Sequence, residues 1–385
     1  MGLYLYKMKR VLILLSSIAI LSACSKSSNP DPVTPTLPPI LAPLNPDFIR
    51  GVDLSFTPEI LLAGTIFKDN NQTKDLIQIF KDKGLNTVRL RLWHTPIDAH
   101  SSLQEVIDFA KNLNTKGFNI WLDLHYSDTW ADPSNQTKPA AWKNANFTDL
   151  KDSVYQYTSR TIQAFKSAGI TLKIVQIGNE TNSGFLWDLG KVGGAFDSNW
   201  GNYTLLLKEG IRAVKDNSNT TKTMIHIAGF DSSDWFFGNL ATQNVSYDYI
   251  GLSYYPIWHG KSLDVLSASL TSLINKYQKP IIIAETSYPF TLLWNDNTNN
   301  IVGTSSQLIS AFDATPDGQN AYTKALIDLM HKLPGQQGLG VCWWAPEWVS
   351  FKGNSATNGS SAENLTLFDF NNNTLPALSS LGSYQ

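Results

Sequence analysis

From Phe48 onward the chain alternates short apolar runs with amphipathic stretches. Eight runs can be counted: FIRGVDLS, NTVRLRLW, FNIWLDLH, LKIVQIGNE, TMIHIAGF, YDYIGLSYY, PIIIAETS and LGVCWWAPE. Between them lie segments whose apolar residues recur at helical spacing, among them TKDLIQIFKDKG, LQEVIDFAKNLNTKG, DSVYQYTSRTIQAFKSAG, LLLKEGIRAVKD, LDVLSASLTSLINKYQ and AYTKALIDLMHKL. Gly84, Gly117 and Gly169 stand where a helix C-cap would precede the next strand. Strand and helix alternating eight times over this length predict a single α/β domain, a closed TIM (β/α)8 barrel spanning residues 48–385. An open nucleotide-binding sheet would be marked by a GxGxxG or P-loop pattern after its first strand, and neither occurs.

Ahead of the barrel the pattern changes twice. Met8, Lys9 and Arg10 lead into the apolar stretch VLILLSSIAIL, residues 11–21, which predicts a secretory signal peptide and is too short for a membrane span. It ends in LSAC, which resembles a bacterial lipobox with Cys24 as the lipidated first residue of the mature protein. Residues 1–24 are thus expected to be a lipoprotein signal peptide, and the Ser-, Asn- and Pro-rich residues 25–47 an extended spacer. The setting expected is the bacterial outer membrane, with the domain held by a lipid anchor at the cell surface, facing a substrate too large to enter. An ordinary signal peptide cut elsewhere, with Cys24 incidental, is the plainer alternative.

Composition narrows the partner. With 30 Lys and Arg against 32 Asp and Glu, the chain carries no footprint for nucleic acid, so a neutral ligand fits better. Cys342 is the only other cysteine, so the core must hold the mature domain without disulfides. Nothing suggests an obligate interface, and a monomer is expected.

In such a barrel the C-terminal strand ends form the active-site face, so a polar residue that ends an apolar run there is a catalytic candidate. Run four ends in Asn179 and Glu180, and run seven ends in Glu285. Strands four and seven lie on roughly opposite sides of the mouth, and two facing carboxylates are the working parts of glycoside hydrolysis: one acid for the departing oxygen, one carboxylate to attack or to activate water. Taken singly, either Glu could simply cap the following helix. Run two supplies Arg89 and Arg91 on one face of its strand, where at least one could keep Glu285 ionised; both could instead form structural ion pairs. Asp53 and Asp128 sit near the ends of strands one and three, suited equally to sugar hydroxyls and to structural hydrogen bonds. Tryptophans crowd the strand ends as well, as stacking surfaces for pyranose faces. Trp344 and Trp348 are expected in the cleft, Trp93 and Trp142 also, whereas Trp343 should alternate outward; Trp130 and Trp258 belong to the same inventory. The six histidines show no spacing that would place two on one face of an element, so catalytic zinc is not expected.

The blocks VRLRLW, DLHYSDTWADPSNQTKPAAW, VQIGNETNSG, YIGLSYYPIWHG, IIIAETSYPFT and CWWAPEW, in this order, resemble the arabinogalactan endo-β-1,4-galactanases of glycoside hydrolase family 53, within the clan of retaining barrel hydrolases. The resemblance runs from GVDLS to the C-terminal region. It implies that Glu180 is the acid/base and Glu285 the nucleophile of a double displacement on β-1,4-galactan, that Asn179 hydrogen-bonds the sugar 2-OH, and that Arg89, His125, Tyr254 and Trp344 occupy the cleft floor. No cofactor is required. Bacterial members carry a calcium loop after strand seven, which here would draw on Asp296, Asn297 and Asn299, with Asn300 nearby, although the loop WNDNTNNIVG departs from the more acidic pattern. Two competing readings stay open: a β-mannanase or xylanase of the same clan, against which the HYSDTWADP and YYPIWHG blocks speak, and a surface glycan-binding lipoprotein, which would be expected to lose its two Glu residues.

Overall fold

The structure, a computed structural model, describes residues 44–383. Cys24 and the stretches expected to be a signal peptide and a spacer, up to residue 43, lie outside the described residues. Eight parallel strands close into a barrel in chain order: β1 Ile49–Asp53, β2 Thr87–Leu92, β3 Asn119–Leu124, β4 Leu172–Ile177, β5 Lys222–Ala228, β6 Tyr249–Ser253, β7 Ile281–Thr286 and β8 Gly338–Trp344. Each is followed by an outer helix: α1 Leu76–Asp82, α2 Leu103–Thr115, α3 Phe147–Ser167, α4 Trp200–Asn217, α5 Ser233–Thr242, α6 Leu263–Tyr277, α7 Pro316–His331 and α8 Pro376–Ser383. The predicted barrel is therefore the observed one. Leu44 packs against the core and Asp47 pairs with Lys173 at 3.2 Å, so residues ahead of Phe48 also take part in the packed domain.

Local chemistry explains the helix starts. The side chains of Asp75, Ser102, Asn146, Ser262 and Thr315 accept hydrogen bonds from backbone N–H groups in the first turns of α1, α2, α3, α6 and α7, satisfying donors that would otherwise lack partners. Two helices escape the periodicity. In α5 the buried Phe236, Phe237 and Leu240 flank Gly238 while Trp235 stands exposed, so no polar stripe marks an outer face. In α8 the sequence PALSSLGS has few large apolar residues from which to read a period.

Strand alternation sorts the interior. Ile49, Trp121, Ile174, Met224, Ile282, Ala284 and Cys342 form one apolar cluster that fills the lower barrel, while their strand neighbours, such as Val88, Leu90 and Val175, join the larger core beneath the helices. The inward positions one step further along β1 to β5 are polar: Asp53, Arg89, Asp123, Gln176 and His226. This apolar base under a polar layer is what directs the chemistry to the C-terminal end.

The outer ring closes where α8 meets the turn between α1 and β2. Gly84 caps α1 at φ +92°, and a Cβ there would lie 2.5 Å from the carbonyl oxygen of Gly382; a Cβ on Gly382 would lie 2.0 Å from the carbonyl oxygen of Lys83. Backbone cannot yield as a side-chain tip can, so Gly382→Ala should cost about 1–3 kcal/mol by overpacking. Gly169→Ala, at φ +76° but in open space, should cost only about 1 kcal/mol from its backbone conformation. Urea unfolding of both variants checks this, and equal losses would contradict a tight contact at Gly382.

Candidate active site

Two departures from regular strand geometry bring the carboxylates into one cavity. In β4 the pleat points Ile174 and Gln176 inward, and the chain then breaks at Gly178, φ +82°, and Glu180, φ +44°. A Cβ on Gly178 would meet Thr181 at 2.6 Å. These two left-handed residues let Asn179 and Glu180 both line the cavity, where a continuing strand would have turned one of them away. In β7, Ile283 pairs with Leu252 while Glu285 pairs with Ser253, so one step along β6 matches two along β7. The β8 pairing slips at the same place. Ala284 faces the barrel interior and the bulge re-aims Glu285 to that same side, although strict alternation would have sent it outward.

Arg89 lies at the centre, 2% exposed. Its Nη1 donates to Asp53 at 2.7 Å and to Glu285 Oε1 at 2.8 Å. Nη2 donates to Asp123 and to Asn179 Oδ1, each at 2.8 Å, and Nε donates to Gln176 Oε1 at 3.2 Å. Every N–H of the guanidinium is thus engaged. Tyr255 donates its hydroxyl to Glu285 Oε2 at 2.9 Å. Across the cavity Ser253 Oγ lies 2.6 Å from Glu180 Oε1.

Burial raises both carboxyls, because neither ionised form has its full hydration. Glu180 is pushed up to about 8, first by burial and then by the charge of Glu285. Burial lifts Glu285 as well, and the Arg89 charge is the main force opposing it, with the Tyr255 hydroxyl assisting. Among the described residues Arg89 pairs directly with Glu285 and no ion pair reaches Glu180, so of the pair it is Glu180 that holds the proton and Glu285 that ionises first. Burial keeps His125 neutral; its Nδ1 accepts from Ala131 N–H at 3.1 Å, which leaves Nε2–H for Asp123 at 3.0 Å.

The cavity holds about 590 Å³, within the roughly 300–1,000 Å³ usual for small-molecule sites. Asp53, Arg89, His125, Asn179, Glu180, Glu285 and Trp344 line it as expected. The question left open between the two arginines resolves into two roles. Arg89 pairs with Glu285, whereas Arg91, also at the wall, donates through Nε to Ser101 and lies over Trp130 at 4.0 Å and Trp93 at 4.7 Å. Asp53 is tied to Arg89 and to Ser55, which makes it part of the scaffold.

Other expected residues are elsewhere. Tyr254 is fully buried, its hydroxyl donating to Gly260 O at 3.0 Å and its ring beside Phe230; the cleft tyrosine is Tyr255, which shares the strand parity of Ser253. Trp142 is buried against His94 and Tyr157. Asp128 accepts from the backbone N–H groups of Thr95 and Ala140 and anchors the loop after β3, outside the cavity lining. Trp348 stands behind the wall, stacked on Phe56 at 4.0 Å, and Trp93 packs edge-on to Trp130. The tryptophans that line the cavity are Trp130 and Trp258, 37% and 57% exposed, with Trp344. Trp343 points outward, its Nε1 donating to Leu365 O.

The loop after β7 is held by hydrogen bonds within the protein. Asp296 is buried, with Oδ1 accepting from Thr298 N–H at 2.6 Å and Oδ2 from Ser350 Oγ at 2.9 Å. Glu363 accepts from the N–H groups of Asn295 and Asp296. Asn297 and Asn299 are exposed, and among the described residues no three acidic, His or Cys side chains gather around a point. Protein donors join the loops after β7 and β8 where the family resemblance implied a cation.

The family model for Glycosyl hydrolase family 53 matches residues 49–381. The chain is 37% identical over 345 residues to the arabinogalactan endo-beta-1,4-galactanase of Cellvibrio japonicus, covering 86% of this chain and 90% of that one. The GH53 catalytic domain of Ignisphaera aggregans superposes with a TM-score of 0.82 at 36% identity, over 89% of this chain and 99% of that one. A solved fungal beta-1,4-galactanase gives a TM-score of 0.75 at 30% identity, over 86% and 98%. A barrel with opposed Glu180 and Glu285 and a match across nearly its whole length identify the chain as a glycoside hydrolase that belongs to glycosyl hydrolase family 53.

Proposed function

We propose that the protein is an endo-acting β-1,4-galactanase that cleaves the galactan backbone of type I arabinogalactan with retention, by two successive displacements at the anomeric carbon. The observation that carries this reading is the asymmetry of the pair: Glu285 held by Arg89 and Tyr255, Glu180 by a neutral hydroxyl alone. In the first step a Glu285 oxygen bonds to the anomeric carbon as the glycosidic C–O bond breaks and the leaving oxygen takes the Glu180 proton. In the second, Glu180 accepts a proton from water, whose oxygen bonds to the anomeric carbon while the ester to Glu285 breaks. Arg89 and Tyr255 stabilise Glu285 as its charge returns. Asn179 Nδ2 gives one hydrogen to Ala131 O at 2.8 Å, and its second hydrogen serves the sugar 2-OH. Trp130, Trp258 and Trp344 supply faces for neighbouring rings.

The relatives named as galactanases support galactan over mannan or xylan. Both Glu residues in a tuned setting favour turnover over capture. The apolar stretch and LSAC motif ahead of the spacer support export and a lipid anchor at the outer membrane, with the barrel as a monomer at the cell surface.

Chromatography of the products from linear β-1,4-galactan tests the substrate, with mannan and xylan alongside. Short oligosaccharides should come from galactan alone; cleavage of mannan or xylan instead would sink the substrate assignment, and binding without cleavage would leave a capture protein. Glu180→Gln and Glu285→Gln should each lower kcat on galactan by about 10³-fold or more. The pH profile of kcat/KM should be a bell. Its alkaline limb, near 8, marks loss of the Glu180 proton, and its acidic limb marks protonation of Glu285, above the ordinary Glu range because burial raises it. An acidic limb at 4 or below would contradict the burial of the nucleophile.

A further inference from the structure

Ser253 Oγ touches two groups, Glu180 Oε1 at 2.6 Å and His226 Nε2 at 3.0 Å. A hydroxyl has one hydrogen, so its direction decides what Glu180 can do. That direction follows from the hydrogen bonds around His226. Arg89 Nε–H can only donate, so the Gln176 atom 3.2 Å from it is the amide oxygen, and the two hydrogens of Gln176 Nε2 are shared among Gly178 O at 3.1 Å, Asn179 Oδ1 at 3.1 Å and His226 Nδ1 at 2.9 Å. The deciding donor is the Glu180 backbone N–H, which cannot accept and points to Nδ1 at 3.4 Å. Asn179 Oδ1, 3.0 Å from Nδ1, already accepts from Arg89 and from Gln176. Nδ1 therefore accepts and the imidazole proton is on Nε2, where it is donated to Ser253. Ser253 accepts it and gives its own hydrogen to Glu180 Oε1.

We propose that Ser253 and His226 are positioning residues that keep Glu180 Oε1 an acceptor and so set the transferable proton of the general acid on Oε2. An Oε1 that already receives a hydrogen cannot carry one toward Ser253. The same donor favours the ionised carboxylate in the second step, when Glu180 must accept a proton from water. His226 is fully buried and held neutral by burial and by the Arg89 charge, so it orients the hydroxyl without exchanging a proton. The other groups acting on Glu180 are Glu285 from β7, Arg89 from β2, Asp132 from the loop after β3 and Tyr255 from the loop after β6. None of these donates a hydrogen to either Glu180 oxygen, so Ser253 is the orienting contact.

The proposal rests on Glu180 being the acid, and the test separates the two claims. Ser253→Ala, Ser253→Thr, His226→Asn and Glu180→Gln are assayed for kcat/KM on galactan and on a dinitrophenyl β-1,4-galactobioside, whose phenolate departs without a proton. Ser253→Ala should lose about 10- to 100-fold on galactan and no more than about threefold on the aryl substrate. Its alkaline limb should move to higher pH, because the ionised carboxylate has lost a donor; Ser253→Thr should restore both. His226→Asn should shift the same limb by less. Equal losses on the two substrates, with the limb unmoved in both Ser253→Ala and His226→Asn, would overturn the relay. If Glu180→Gln itself loses equally on both substrates, the acid assignment fails and the relay falls with it. A Glu180→Gln loss confined to galactan, beside substrate-blind losses at Ser253, refutes the relay alone.

Discussion

The site depends on one buried cation. Arg89, with every N–H donor engaged, ties four strands together: β1 through Asp53, β3 through Asp123, β4 through Gln176 and Asn179, and β7 through Glu285. A guanidinium removed from water is tolerated only when its donors and its charge are matched. Here three carboxylates meet it, so the hub as a whole is negative, and Arg91 behind its tryptophan screen offsets only part of that. Burial and the charge of Glu285 keep Glu180 protonated, while the direct contact with Arg89 keeps Glu285 the readier to ionise. One interaction thereby sets the geometry of the floor and the division of labour between the two carboxyls.

The barrel makes this arrangement affordable in structural terms. Its lower interior is filled by apolar side chains from alternate strands, so water is shut out from beneath the polar layer. Above that layer the regular pleat gives way. Left-handed residues after β4 and a bulge in β7 aim three side chains into the cavity that an unbroken strand could not present together. The loops after β3 and β6 contribute Trp130 and Trp258, and the loops after β7 and β8 are joined by hydrogen bonds through Asp296 and Glu363.

What was legible in the amino-acid sequence follows from period and chemistry. Runs of strand length and helices of period 3.6 predicted the barrel, and the missed helices α5 and α8 are those whose composition hides an amphipathic stripe. Glu180 and Glu285 stood out as carboxylates ending apolar runs, yet the bulge that turns Glu285 inward has no local signature beyond PIIIAETS itself. Tyr255 was within reach: counting by two from Ser253 selects it and rejects Tyr254, whose ring packs outward. Trp142 and Asp128 show the opposite difficulty, since a strand-end position does not reveal whether the loop folds a side chain back onto helix α3 or onto backbone amides. The Asp296 loop carries hard oxygens, but its donors, Ser350 and Thr298, are separated from one another in sequence, and only the folded chain brings them to the same carboxylate.

The central claim is that Glu285 attacks carbon and Glu180 manages the proton in both steps, and the most direct measurement is the configuration of the product at the instant it forms. Proton NMR of galactan or a galacto-oligosaccharide during the first minutes of hydrolysis resolves the two anomers of the new reducing end before mutarotation mixes them. The account predicts that the β anomer appears first and decays toward equilibrium. Initial appearance of the α anomer would mean a single displacement by water, and Glu285 would then be a base and not the nucleophile.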